Sequence, residues 1–456
     1  MLDIIIIFSS FFAIILSIYL YRHAAGESIL RLNMLTYSFY LLAVLSLFVS
    51  IVVVLHFPFI DYDSVMFNHS YGDYSVRLAV WGIVMWMFIG IPLGAMIANK
   101  LINKSSIDSL MVNYRKFVPQ IGFGFNEKTL ASALFLIGTI LIFTLFWNLP
   151  EDTALSTIIQ SHDVISSQIA RGATNNEQFG RFYGSIFNLG TLQWLSYIAF
   201  GMIIMTGKIK WYCLFGVMFL IVCFFCLVNG EIAPILYYLV GIGFLRNLLG
   251  RSFLRFYEGL GIIVLLLGLF ILFKGADGGM VLILQQITER LLFSQLIGMY
   301  QAFQIFPVQH EFIGFASTGK VIHEILGLPA LDSYGLLMMR IYNPEGVKLG
   351  LAGHLTTIFM GEAWANFGMF GVIFAPLWVG AVVQLVNCMF VGRHKRKNII
   401  SMALYVYLAV TFGYASDFIS FYYPVGMLLF LLGVMIIVKF GQFLFAQSSA
   451  KYQRMM

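Results

Sequence analysis

Long apolar runs separated by short polar breaks recur along the chain. They predict eleven membrane spans, at about 2–20, 34–57, 78–98, 129–148, 190–206, 211–228, 232–245, 259–273, 367–391, 399–415 and 419–438. A helix needs ~20 apolar residues to cross ~30 Å of hydrocarbon, and most of these runs meet that length. They are apolar on every face instead of alternating, which predicts helices and not a β-barrel. The run at 232–245 is the shortest. The first run carries Asp3 where a signal peptide has a basic start, and no small-residue cleavage site follows, so it is read as a span. The expected fold is all-α: one polytopic integral membrane domain over residues 1–456.

Composition agrees with this pattern. Hydrophobic residues make up 60% of the 456, charged residues 11%, and the mean hydropathy is +0.89. Soluble proteins carry about 25% charged residues. Charge then orients the spans. With the C-terminus in the cytoplasm, 19 of the 27 basic residues lie inside, including the "RHKRK" run at 393–397, and 17 of the 21 acids lie outside. The positive-inside rule favours that orientation. The basic excess therefore marks topology and membrane-surface contact and gives no sign of nucleic acid, and no nucleic-acid partner is expected.

The four cysteines, Cys213, Cys223, Cys226 and Cys388, all fall within spans. The C-x-x-C at 223–226 has no second pair, so plain buried thiols are expected. No 20–50-residue repeat, no inverted pair of interrupted helices and no G-x-x-x-x-G-K-[ST] nucleotide loop occurs.

Two outer connections are long, 149–189 and 274–366. Connections above about 15 residues are uncommon unless functional or disordered. In the first, Leu155, Ile158, Ile159, Ile165 and Ile169 follow helical spacing, which predicts an amphipathic helix on the membrane surface. The second opens with "GADGG" and continues "MVLILQQITERLLFSQLIGMYQAF", helical in pattern but carrying Glu289 and Arg290 at its centre. That charge pair argues for an interfacial or re-entrant helix over a lipid-facing crossing.

The stretch "GHLTTIFMGEAWANFGMFG", 353–371, leads into the ninth span. Gly361, Ala365 and Gly368 are spaced i, i+4, i+7, a small-residue stripe that lets another helix approach closely. His354 and Glu362 lie eight residues apart, about 12 Å along a helix, so they would bracket a site without touching.

"TTIFMGEAWANFGMFGVIFAPLWVG" resembles the stretch after the large external loop of bacterial oligosaccharide repeat-unit polymerases, the Wzy-type O-antigen polymerase family. There a Gly-Glu pair precedes an aromatic residue, Asn-Phe-Gly and an apolar helix. This specific motif covers about 25 residues; the span number and the two arginine-bearing loops resemble the family more loosely. Family members carry arginines followed by glycine about ten residues on in both loops. Here eight residues separate Arg181 from Gly190 and nine separate Arg340 from Gly350.

The resemblance implies a GT-C-like bundle in the bacterial inner membrane, with its site on the periplasmic side. It implies transfer of a growing glycan from undecaprenyl diphosphate to another lipid-linked unit, with inversion; if arginines neutralise the diphosphate, no metal or other cofactor is expected. A chain-length regulator and a flippase are the implied protein partners. A lipid diphosphate needs cationic donors, and arginine grips phosphate with two prongs. Arg171, Arg181, Arg290, Arg340, Lys320 and Lys348 hold six of the eight outer positive charges and are the expected diphosphate ligands. A carboxylate or imidazole must activate the sugar hydroxyl. Glu362, Glu289 and His354, in that order, are the expected bases. Each has a plainer reading: Glu362 as a helix cap or arginine partner, His354 as an interfacial hydrogen-bonded residue, the cations as headgroup contacts. Three rival functions stay open: a metal-dependent glycosyltransferase using the D-x-D of Asp61 and Asp63, a related ligase, and a transporter or flippase.

Overall fold

The computed structural model describes the chain except residues 1, 58–70, 103–106, 150–152, 162–165, 167–169, 171–181, 229, 231, 254–257, 260, 263, 265–267, 269–287, 318–326, 328–333, 349–354, 356, 392–396, 415–417 and 454–456. The described residues are helical, apart from one isolated bridge between Gln120 and Asn398. Eight helices are long and apolar enough to cross a membrane: Leu2–Ala25, Met34–Val54, Tyr74–Ile102, Glu127–Trp147, Leu189–Thr206, Ile209–Val228, Phe359–Val391 and Val425–Leu444. The protein is a polytopic membrane helix bundle.

Of the remaining expected spans, 232–245 and 399–415 are shorter apolar helices, Ala233–Leu248 and Ile399–Thr411. Most of 259–273 lies outside the described residues. The expected span at 419–438 is broken: a short helix, Ile419–Tyr422, stops before Pro424, and a new helix starts at Val425. Proline has no N–H to continue a helix, and it pushes the preceding residue out of helical geometry. The long helices carry large apolar side chains on their outer faces, among them Phe8, Phe11, Phe12, Phe135, Trp147 and Leu220. That distribution suits lipid and would be costly in water.

The described chain divides into two compact units. One comprises residues 1–112, 277–392 and 412–424. Its centre is the Tyr74–Ile102 helix lying against the Phe359–Val391 helix. The sequence "GIPLG" at 90–94 is a G-x-x-x-G, and it brings the two backbones together. A Cβ on Gly94 would lie 1.9 Å from the Leu377 carbonyl oxygen, and one on Gly380 would lie 1.8 Å from that of Ile91.

Amide groups lock the same interface: Gln384 Nε2 donates to Asn99 Oδ1 at 2.8 Å, and Asn99 Nδ2 donates to the Ala24 carbonyl at 3.1 Å. The Leu2–Ala25 helix adds Ser17 to the Phe88 carbonyl at 2.9 Å and receives Trp81 Nε1 on Ser10 at 2.9 Å. Trp86 Nε1 donates to the Val372 carbonyl at 3.1 Å, thirteen residues before the Asn99–Gln384 pair on one helix and twelve before it on the other, so these helices run parallel, as does the Leu2–Ala25 helix.

The other unit comprises residues 113–276, 393–411 and 425–456. Trp194 Nε1 donates to the Ile400 carbonyl at 3.2 Å, and Tyr238 donates to Ser196 Oγ at 2.6 Å. At Gly241 a Cβ would meet the Tyr197 hydroxyl at 2.1 Å, so helix approach again depends on a glycine.

Candidate functional site

The motif that prompted the family resemblance forms a broken helix. The helix begins at Phe359, eight residues before the expected span, and Gly368 interrupts it with φ 58° and ψ −138°. That region is strained for any residue with a Cβ. Beyond it, a Cβ on Gly371 would lie 2.0 Å from the Ala363 carbonyl oxygen. Residues eight apart on a straight helix are about 12 Å from each other, so the chain folds sharply at Gly368.

Gly361, Ala365 and Gly368 are therefore not one helical stripe. Gly361 alone has the expected close approach, with its Cβ position 3.2 Å from the Met299 Cα. The expected helical spacing of His354 and Glu362 does not apply either. The helix starts after Ile358, and His354 lies outside the described residues.

The short arm before the break is held from several sides. Glu362 is 3% exposed, and its Oε2 accepts the backbone N–H groups of Phe418 and of Ile419, the latter at 3.1 Å. Ile419 opens the Ile419–Tyr422 helix, so the carboxylate caps that helix start, where free N–H groups carry partial positive charge. Trp364 stacks on Phe303 at 4.2 Å, meets Phe312 edge-on at 5.5 Å and donates to the Phe306 carbonyl at 3.3 Å. Asn366 Nδ2 reaches the Tyr422 hydroxyl at 3.5 Å. Ile313 N–H donates to the Ala365 carbonyl at 2.9 Å, which pairs a backbone oxygen near the break.

Beside this arm lie the helices Ser294–Ile305 and Tyr334–Tyr342. Tyr334 donates to the Gly298 carbonyl at 2.7 Å. Burial, then the Glu362 charge, holds its phenol well above the ordinary tyrosine range, so it stays a neutral donor. Tyr342 donates to Gln304 Oε1 at 3.4 Å. The result is a buried layer of phenols and amides around one carboxylate. A sequence pattern cannot show it, because its members come from four stretches; the one local signal was the density of aromatic and amide residues at 298–315 and 364–367.

Glu289 is 9% exposed and begins a π-helical turn, Glu289–Phe293, that also contains Arg290. This turn packs against a second π turn, Ala43–Leu47. π turns concentrate at functional sites, because each shifts the side-chain register of its helix. Arg340 is exposed in the last turn of its helix. Lys348 is exposed and pairs with Glu345 at 2.8 Å. Arg171, Arg181, Lys320, Asp61 and Asp63 lie outside the described residues. Helix Ala154–Ser161 covers the first half of the amphipathic helix expected at 155–169, burying Ile158 and exposing Ile159.

Comparison with protein-family models, with curated proteins and with solved structures returns no match.

Proposed function

We propose that this chain is a membrane glycosyltransferase that polymerises oligosaccharide units carried on undecaprenyl diphosphate. The observation that carries this reading is the coincidence of the Gly-Glu…Asn-Phe-Gly motif with the broken helix. Gly361, Glu362, Trp364, Asn366 and Gly368 each make a separate contact or bend there. Lipid-span composition alone would not call for three polar or aromatic side chains and two glycines in five different jobs.

In the proposed reaction a sugar hydroxyl attacks the anomeric carbon of a lipid-linked glycan. The bond from that carbon to the diphosphate breaks with inversion, and undecaprenyl diphosphate leaves. The base must reach the hydroxyl proton. Glu362 is committed to two backbone N–H groups, so its role here is to position the Phe418–Tyr422 segment. Glu289, the buried acid of the π turn, is the proposed base. Arginines on the same side neutralise the leaving diphosphate, a task suited to their two-pronged geometry. The site faces the periplasm of a bacterial inner membrane in this reading. A chain-length regulator and a flippase are its proposed partners.

Deletion of the gene in its bacterial host, followed by gel analysis of surface polysaccharide, tests the reading. Loss of the polymer ladder with survival of single-unit glycan is the expected result. An unchanged ladder contradicts it.

A further inference from the structure

Arg77 stands in the first turn of the Tyr74–Ile102 helix, outside both long loops. Its guanidinium Nη1 is hydrogen-bonded to His56 Nδ1. An arginine has only N–H donors, so this ring nitrogen is the acceptor. His56 itself adopts φ 50°, a left-handed conformation that few residues with a Cβ take. The Tyr74 ring lies 5.9 Å from the guanidinium carbon and supports its other side. The guanidinium Nε is buried and has no hydrogen-bond partner, and the ion pairs among the described residues do not involve Arg77. An arginine held by a ring-nitrogen acceptor and an aromatic face keeps its charge for a ligand.

The turn that carries Arg77 is pinned to the candidate site. Tyr71 is 3% exposed and meets Tyr300 edge-on at 5.0 Å. Gly72, at φ 64°, leaves room for Gln304, whose Nε2 would lie 2.5 Å from a Cβ there. Tyr300 and Gln304 belong to the Ser294–Ile305 helix, whose Gly298 and Met299 backbone touches Tyr334 and Gly361. Arg77 thus stands where a spanning helix begins and on the flank of the broken helix. The partial positive charge of a helix start adds to its own.

We propose that Arg77, oriented by His56 and Tyr74, binds the phosphate of a membrane lipid. The diphosphate of a lipid-linked glycan is the first candidate, and that identification rests on the function proposed above. A bulk phospholipid headgroup offers the same chemistry. The guanidinium gives two parallel N–H donors to one phosphate, which a lysine ammonium does not reproduce.

The test uses the full-length protein in nanodiscs of zwitterionic lipid, with undecaprenyl diphosphate and phosphatidylglycerol as separate probes. Arg77→Gln is expected to weaken binding of the preferred probe by about tenfold or more, and Arg77→Lys by several-fold. His56→Phe, which removes the acceptor but keeps a ring, is expected to weaken it by a smaller factor. The thermal unfolding of each variant shows whether it has kept its fold, and Arg77→Lys serves if Arg77→Gln has not. Preference for undecaprenyl diphosphate, lost in the variants, supports both the site and the proposed function. Equal Arg77-dependent binding of phosphatidylglycerol supports the phosphate site while failing the glycan reading. Unchanged binding of both probes by the folded Arg77 variants overturns the inference.

Discussion

Glu362 and Lys397 are each 3% exposed, one in each unit, and each is tied to backbone groups at helix ends. Glu362 accepts two consecutive N–H groups at one helix start. Lys397 donates to the Leu248 carbonyl at 3.1 Å and the Arg115 carbonyl at 3.2 Å, at the ends of helices Ala233–Leu248 and Ile107–Lys116. Its ammonium also lies 5.5 Å from the Tyr114 ring centre. The acid sits on partial positive charge and the amine on partial negative charge, as helix dipoles favour. The difference lies in what is joined. Glu362 fixes one segment beside the broken helix, whereas Lys397 ties two helix ends to its own strand-like stretch, which Gln120 pairs on both sides. A charge in an apolar protein is therefore stabilised by helix ends in two ways: as a local cap and as a cross-link.

Removing the cap has the largest expected effect. Glu362→Ala leaves two buried N–H groups without their acceptor, at about 1–3 kcal/mol each. Glu362→Gln keeps a carbonyl oxygen facing them and should retain most of the stability. In detergent, thermal unfolding of the alanine variant should fall well below that of the glutamine variant. Equal loss in both would mean that the negative charge, and not the acceptor, holds the segment. In polymer assays Glu362→Gln should stay active while Glu289→Gln loses activity by about 10²–10⁴-fold. The reverse order would return the base to Glu362.

Breaking the cross-link comes next. Lys397→Met keeps the length and the apolar stem but strands two carbonyls, and a loss of about 1–3 kcal/mol is expected. Carbonyls tolerate missing partners better than N–H groups, so the loss should be smaller than for Glu362→Ala. A larger loss would make the cross-link the stronger device. Gly368→Ala should cost about 1–2 kcal/mol, from the left-handed backbone and from a Cβ 2.8 Å from the Phe312 ring. A stability equal to that of the parent would show that the chain does not bend there.

The cross-link also has a signature in pH. Burial, then the neighbouring Arg115 charge, brings the Lys397 amine down from its ordinary 10.5 to about 8. Below about pH 8 the amine is protonated whether the chain is folded or not. Between that value and 10.5 the unfolded chain holds a proton that the folded chain has released, so stability should rise with pH across this window. The Lys397→Met variant should lack that rise. A parent protein whose stability is flat or falls over the same window, as the variant's does, would place the ammonium in water.

Most of the spans were legible because crossing a membrane demands only length and hydropathy. Both can be read from residues such as those at 2–20 and 211–228. The break at Gly368 was not, because glycine is common in spanning helices and only the backbone shows which one bends. The cap at Glu362 escaped for a different reason: its partners lie 56 and 57 positions away. Lys397 read as one more cytoplasmic charge in a basic run, and nothing in "RHKRKN" shows which member turns inward. Arg77 is one of the eight outer positive charges but lies in neither long loop. Its signal was an arginine at the first turn of a span, preceded by "SYGDYS".

Compartment orientation, which rests on the split of basic residues, underlies every functional statement above. A periplasm-only reporter should work when fused near Pro344 and fail near Lys395. The central claim is that the chain joins lipid-diphosphate-linked units into polymer. It is tested most directly by incubating the purified full-length protein in lipid with undecaprenyl-diphosphate-linked repeat units, with and without EDTA. A ladder of chains differing by one unit, formed with release of undecaprenyl diphosphate and unaffected by chelator, is the predicted result. Repeat units that remain single, or that join only after Mg²⁺ or Mn²⁺ is restored, would contradict it.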